Sequence, residues 1–185
     1  MSDDSHPFWQ FSIDVYGQDG VPEACIALQE TCGIDVNILL FCCWAGSAGH
    51  PSLTAAEITT ANDAVSSWNK EMVQGLRAVR NRLKEGFDGF DAEGAEALRQ
   101  RVLGVEINAE HKEQLRLAEV VEITENPDLT LDERLENCVS NLAKYFADAA
   151  EGEPALHAEM AAILGNVFPD SSKAEIEAAI TKAFA

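Results

Sequence analysis

Basic side chains are scarce in this chain: thirteen lysines and arginines stand against thirty-two aspartates and glutamates, a net charge of −19 over 185 residues. That field repels phosphate backbones and anionic headgroups and favours solubility, which excludes general nucleic-acid binding. No apolar run reaches the roughly 20 residues that a membrane span needs, so no membrane segment is expected. The first residues, Met1-Ser2-Asp3-Asp4, lack the basic-then-apolar pattern of a secretion signal. Catalytic signatures are missing as well: there is no glycine-rich phosphate loop, no Gly-x-Ser-x-Gly elbow and no Cys-x-x-Cys. A carboxylate-bridged metal site in a bundle needs paired Glu-x-x-His motifs, which do not occur. His6, His50, His111 and His157 are scattered, so no metal and no other cofactor is expected. Asp88, Asp91, Glu93 and Glu96 do not fit the intervals of a calcium loop. The five cysteines are an odd number, and adjacent Cys42 and Cys43 would diverge by about 100° on a helix, poor geometry for a disulfide. Cys25, Cys32 and Cys138 also sit at apolar helical positions, so all five read as small buried hydrophobes in a reducing cytoplasm.

What is present begins with Asp35-Val-Asn-Ile-Leu-Leu-Phe-Cys-Cys-Trp-Ala-Gly-Ser-Ala-Gly49. Between Ile38 and Ala45 there is no polar side chain, so a helix here is apolar on every side and must be enclosed by other elements. Asp35 suits an N-cap, and Gly46 and Gly49 are available to end the helix. Leu, Cys and Ala content favours helix over a buried strand.

The remaining segments also read as helices. Pro7 opens one through Phe8, Trp9, Phe11, Ile13, Val15 and Tyr16, ended by Gly17. A second runs from Val21 through Ala24, Cys25, Leu28 and Cys32 to Gly33. Thr54 and Glu57 form a capping box, with Leu53 and Ile58 as a hydrophobic staple. The stripe Ile58, Ala61, Val65, Trp68, Met72, Leu76, Val79, Leu83 then predicts one continuous helix of about eight turns, roughly 45 Å long. After a glycine-containing loop at 85–91, a second long helix begins near Asp91. Its stripe of Ala95, Leu98, Val102, Val105 and Ala109 gives way to Ile107, Gln114, Ala118 and Val121, which predicts a bend between Gly104 and Asn108. Asn126-Pro127-Asp128 breaks the chain. Capping boxes at Thr130/Glu133 and Ser172/Glu175, with a helix opened by Pro154 between them, predict three more helices. The expected fold is all-α: a helical bundle around an apolar central helix, with two long helices and a C-terminal three-helix extension. Residues 1–6 form a disordered tail, 7–125 a helical core domain and 126–185 a C-terminal helical subdomain.

Several stretches resemble an uncharacterised family of proteobacterial proteins. They are Phe8-Trp9-Gln10-Phe11-Ser12, the Ala24-Cys25 to Leu28-Gln29 helix, Asp35-Val36-Asn37 with Leu39-Leu40-Phe41-Cys42 and Trp44-Ala45-Gly46, and Leu76-Arg77-Ala78-Val79-Arg80. Members of that family are small cytoplasmic helical proteins grouped as a domain of unknown function. The likeness runs from about Pro7 to Thr124 and implies a helical fold without implying an activity.

Two groups of residues are candidate sites. Asn37 enters the apolar helix early and its amide needs partners if buried, so it either bonds a neighbouring helix end or lines a pocket with Asp35, Trp9, Ser12 and Trp44. Arg77, Arg80 and Lys84 share one helix face. They either balance the helix C-terminus and the acidic fifth helix or form a site for a phosphate, a carboxylate or an acidic segment. His111, with Glu106, Glu110 or Glu122 near it, is expected to point inward. Without catalytic spacing, the sequence leans away from an enzyme. It favours a soluble, self-associating interaction or adaptor module whose partner is a protein or a second copy. The alternative is a small-molecule binder or enzyme, with a pocket for an anionic or apolar ligand between the core helix and the basic stripe.

Overall fold

The computed structural model describes residues 5–149 and 156–185, and among these every regular element is a helix. They are α1 (Pro7–Tyr16), α2 (Val21–Cys32), α3 (Val36–Ser47), α4 (Ala55–Trp68), a π-helical turn (Asn69–Val73), α5 (Gln74–Lys84), α6 (Ala92–Val120), α7 (Leu131–Ala149), α8 (His157–Val167) and α9 (Lys173–Ala183). The fold is all-α, as the three capping boxes require. Thr54 and Glu57, Thr130 and Glu133, and Ser172 and Glu175 each exchange the two bonds that satisfy backbone N–H groups at a helix start. His6, placed by the sequence in a disordered tail, accepts from the Phe8 N–H through Nδ1 at 3.2 Å and caps α1. Pro154 lies outside the described residues.

The apolar helix α3 is the centre of the core, with Asn37 to Cys43, Ala45 and Gly46 all buried. Asp35 caps it by accepting from the Asn37 N–H at 2.8 Å. It packs most extensively against α7, and α1, α2, α6 and α8 complete its enclosure. One connected core runs from Phe8 through α3 and α7 to Ile180, so it draws on the chain both before and after Asn126. Each buried Leu or Ile contributes about 1.5–3 kcal/mol relative to exposure. Gly46 does not end α3; it lies inside the helix, where a Cβ would sit 2.5 Å from the backbone N and Cα of Cys138. That absent methyl lets α3 and α7 approach to backbone contact. Gly49, at φ +82°, is where the chain leaves the helix. The buried Asn141 of α7 fixes the segment that follows, accepting from the Leu53 N–H at 2.7 Å and donating to the Cys42 carbonyl at 3.2 Å.

The fourth helix departs from expectation in its middle. Residues 55–84 are helical throughout, but the π turn inserts one extra residue per turn and advances the register. Val73 is therefore the buried residue, whereas Trp68 and Met72, assigned to the inner stripe by their spacing, are exposed. Helix α6 runs unbroken through the Gly104–Asn108 region, about 43 Å by its 29 residues, with no interruption where a bend was expected. Its buried face is Glu106, Ala109, His111, Glu113, Gln114 and Leu117, while Leu98, Val105 and Ile107 are exposed.

None of residues 74–105 is buried. Here α5 packs on the first half of α6 and on little else, so the two helices project from the body as a hairpin.

Candidate functional site: a polar face on α6 and the projecting hairpin

Helix α6 carries polar groups into the body at the spacing that would ordinarily carry apolar ones. Glu106, Glu110 and Glu113 lie three to four residues apart and so share a face. Arg77 of α5 donates from Nε to Glu106 at 3.1 Å, from one terminal nitrogen to Glu110 at 2.9 Å, and from the other to the side-chain oxygen of Gln29 on α2. Arg80 donates to both oxygens of Glu106. Glu106 is 3 % exposed while its partners are half-buried, so a buried carboxylate centres a multiply bonded ion-pair cluster at the root of the hairpin. Lys84 is exposed and stands outside it. Of the basic stripe, the structure brings Arg77 and Arg80 together on one carboxylate and leaves Lys84 in solvent.

Further along α6, Glu113 is 1 % exposed, accepts from the Asn69 amide of the π turn at 3.3 Å and lies in hydrogen-bonding reach of the Asp35 carboxylate. Burial and then the adjacent Asp35 push its carboxyl up to about 10, so it is protonated at neutral pH and can donate to the Asp35 carboxylate. Burial likewise raises Glu110, against the opposing pull of Arg77. Tyr145 of α7 holds the other side of Asp35, its hydroxyl accepting from the Asp35 N–H at 2.7 Å. Asn37, 7 % exposed, accepts from the Gln114 amide at 2.8 Å.

Among the residues predicted from sequence, Asp35 and Asn37 thus meet α6 at Glu113 and Gln114. Trp9 stacks on His111 with ring centroids 4.2 Å apart, and His111 does point inward. Ser12 is buried with its Oγ unpaired among the described residues, as is Oε1 of Gln114. Trp44 lies elsewhere, stacked on Phe8 at 5.2 Å and edge-on to His6. It lines a shallow depression of about 340 Å³ with Phe11, Ser47, Glu125 and Arg134. There Arg134 is engaged in bonds to the carbonyls of Ser47, Asn126 and Leu129. Burial and then nearby His111 lower the pKa of His6 from its ordinary value. Glu113, Asn69 and Tyr145 were not singled out from sequence. The i, i+3, i+7 recurrence of Glu106, Ala109, Glu113 and then Leu117 was the available signal.

The hairpin presents the opposite chemistry. Val79, Leu98 and Val105 are 51 %, 50 % and 52 % exposed, and Met72 at its base is 42 % exposed. At its tip Phe87 and Phe90 meet edge-on, and the Arg82 guanidinium lies 3.9 Å over the Phe87 ring. No single helix among the described residues is long and apolar enough to cross a membrane.

Fold and site together define an all-α protein with a polar-lined bundle and an apolar-striped helical arm. The chain belongs to the family described as a protein of unknown function (DUF2390), whose pattern matches residues 7–117 and so takes in α1 to α5 and most of α6. No curated protein and no solved structure matches it significantly.

Proposed function

We propose that this protein is a helical interaction module, an adaptor, that engages a protein partner through the α5–α6 hairpin. The observation that carries this reading is the hairpin's composition. It contributes no buried residue to the fold yet displays large apolar side chains at half exposure or more on regularly spaced positions. Nothing within the fold requires Val79, Leu98 or Val105 to be apolar, and exposed apolar positions on a helix otherwise favour aggregation. The ion-pair cluster of Arg77, Arg80, Glu106 and Glu110 anchors the root of the arm, giving the surface a rigid base. The five cysteine thiols, all buried, suit a reducing compartment, and we take the cytoplasm as the setting.

Site-specific photo-crosslinking tests this reading. A photoreactive residue at position 105 or 79 is expected to give protein adducts in cells, whereas one at exposed Ile26, on the body, gives none. Equal labelling at all three positions, or none at 79 and 105, would remove the hairpin as the docking surface.

A further inference from the structure

We infer that the partner of the hairpin is a second copy of this chain, docked hairpin to hairpin with the two bodies at opposite ends. This rests on the reading of the hairpin as the interaction surface and adds the occupant and its orientation.

The apolar positions form one stripe. In α5 the half-buried Leu76, Arg80 and Leu83 mark the face turned toward α6, and in α6 Ala95, Val102 and buried Glu106 mark the face turned back. At about 100° per residue, Val79 lies roughly 65° from the first face, and Leu98 and Val105 lie roughly 60° and 80° from the second, in the same rotational sense about each helix. Two helices running antiparallel bring equal rotations of the same sense to the same side of the pair. Val79, Leu98 and Val105 therefore share one side of the hairpin.

Charge selects the occupant. Residues 74–105 contain six basic and five acidic side chains, a net charge of +1, while the rest of the chain holds seven basic and twenty-seven acidic ones, a net charge of −20. The hairpin is the part of the molecule that a second copy can approach without meeting a dense field of its own sign. Exposed Lys84 and Arg101 make no ion pair among the described residues, and neither do exposed Asp88 and Glu93. A hairpin of the same composition supplies countercharges for both sets. Side-by-side docking would place the two −20 bodies together, so the arrangement that keeps them apart overlaps the arms with each tip directed toward the other copy's body. Two hairpins face to face bury their stripes as a four-helix bundle, the packing that α5 and α6 lack in the monomer.

The experiment is sedimentation equilibrium of the intact protein from low to high micromolar concentration. It compares wild type with Val79→Glu/Leu98→Glu and with Ile26→Glu, each checked for unchanged helical content and melting. Wild type and Ile26→Glu are expected to reach the mass of two chains, and Val79→Glu/Leu98→Glu to remain one chain throughout. A nitroxide on Phe90→Cys, the native thiols being buried, then reports the tip-to-tip distance by pulsed electron resonance. The expected distance is about 20 Å or more, the length of an arm; tips in near contact would overturn the orientation. A wild type of one chain at every concentration overturns the second-copy occupant. In that case, crosslinks at 79 and 105 to another protein would leave the hairpin as a docking surface for a different partner. A dimer that survives Val79→Glu/Leu98→Glu overturns both readings.

Discussion

A methyl group at position 46 would stand 2.5 Å from the backbone of Cys138, with no flexible side chain able to move aside. Gly46→Ala is therefore expected to force α3 and α7 apart and lower stability by about 3 kcal/mol. Gly75→Ala, where no heavy atom lies within 4 Å of the new carbon, should gain about 0.5–1 kcal/mol from helix propensity. Urea denaturation of the two variants checks both signs. Glu113 yields a second prediction at this scale. Its carboxyl is protonated in the folded state, so Glu113→Gln keeps the shape and a donor for Asp35 while removing an ionisation that only the unfolded chain enjoys. The variant should melt higher than wild type at pH 8 and at the same temperature near pH 4, where Glu113 is protonated in both states. Equal melting at both pH values would mean that Glu113 does not hold its proton in the folded state. Of these residues, Asp35 was legible as an N-cap and Asn37 as a buried amide in need of a partner, because each breaks an otherwise apolar context. Glu113 was not, since a glutamate among many on an acidic helix looks like solvated surface until the packing shows what faces it. Gly46 was legible as a glycine with a purpose, but a helix stop and a helix-packing contact look alike in one dimension.

At the scale of elements, the capped helices were the readable ones. The side chains that start α4, α7 and α9 also satisfy the backbone there, so sequence and geometry coincide. The long helices were less so. A spacing rule assumes 3.6 residues per turn, and the π turn at Asn69–Val73 breaks that assumption without any glycine or proline to announce it. On α6 the inner face is built from carboxylates, a histidine and a glutamine, so an apolar stripe could not locate it. The arginines that meet that face hold the arm to the body. Replacing both Arg77 and Arg80 by Gln leaves Glu106 buried without a cation, an expected loss of about 3 kcal/mol. Adding Glu106→Gln removes the stranded charge and should restore most of that loss. Hydrogen exchange locates the effect: amides of α5 should exchange faster in the double variant, while those of α3 and α7 keep their protection. Uniform acceleration across all helices would show that the cluster supports the whole fold rather than the hairpin root.

Over the whole molecule, charge and buried carboxyls pull stability in the same direction. Glu113 and Glu110 have folded values raised above 4.5, so their contribution is fully present below that pH and is lost as the pH climbs, for Glu113 toward about 10. The net charge of −19 adds repulsion that protonation and salt both relieve. Other groups act with the opposite sign. The capping glutamates Glu57, Glu133 and Glu175 are lowered by their threonine or serine partners, so their contribution holds above 4.5 and fades below it. His6, lowered by burial and His111, contributes above 6.5 and loses that contribution as the pH falls, through one partly exposed cap. These windows place the stability maximum near pH 5, above the range where the caps are lost and below the range where ionisation of Glu110 and Glu113 in the unfolded chain costs most. Melting temperature followed from pH 4 to pH 9 should therefore rise on acidification to about pH 5 and then fall. Added salt should raise it at pH 8 more than at pH 5, because the charge it screens is larger there. A maximum at or above pH 7, with the same salt response at both ends, would show that neither the raised carboxyls Glu110 and Glu113 nor the acidic body governs the stability of this fold.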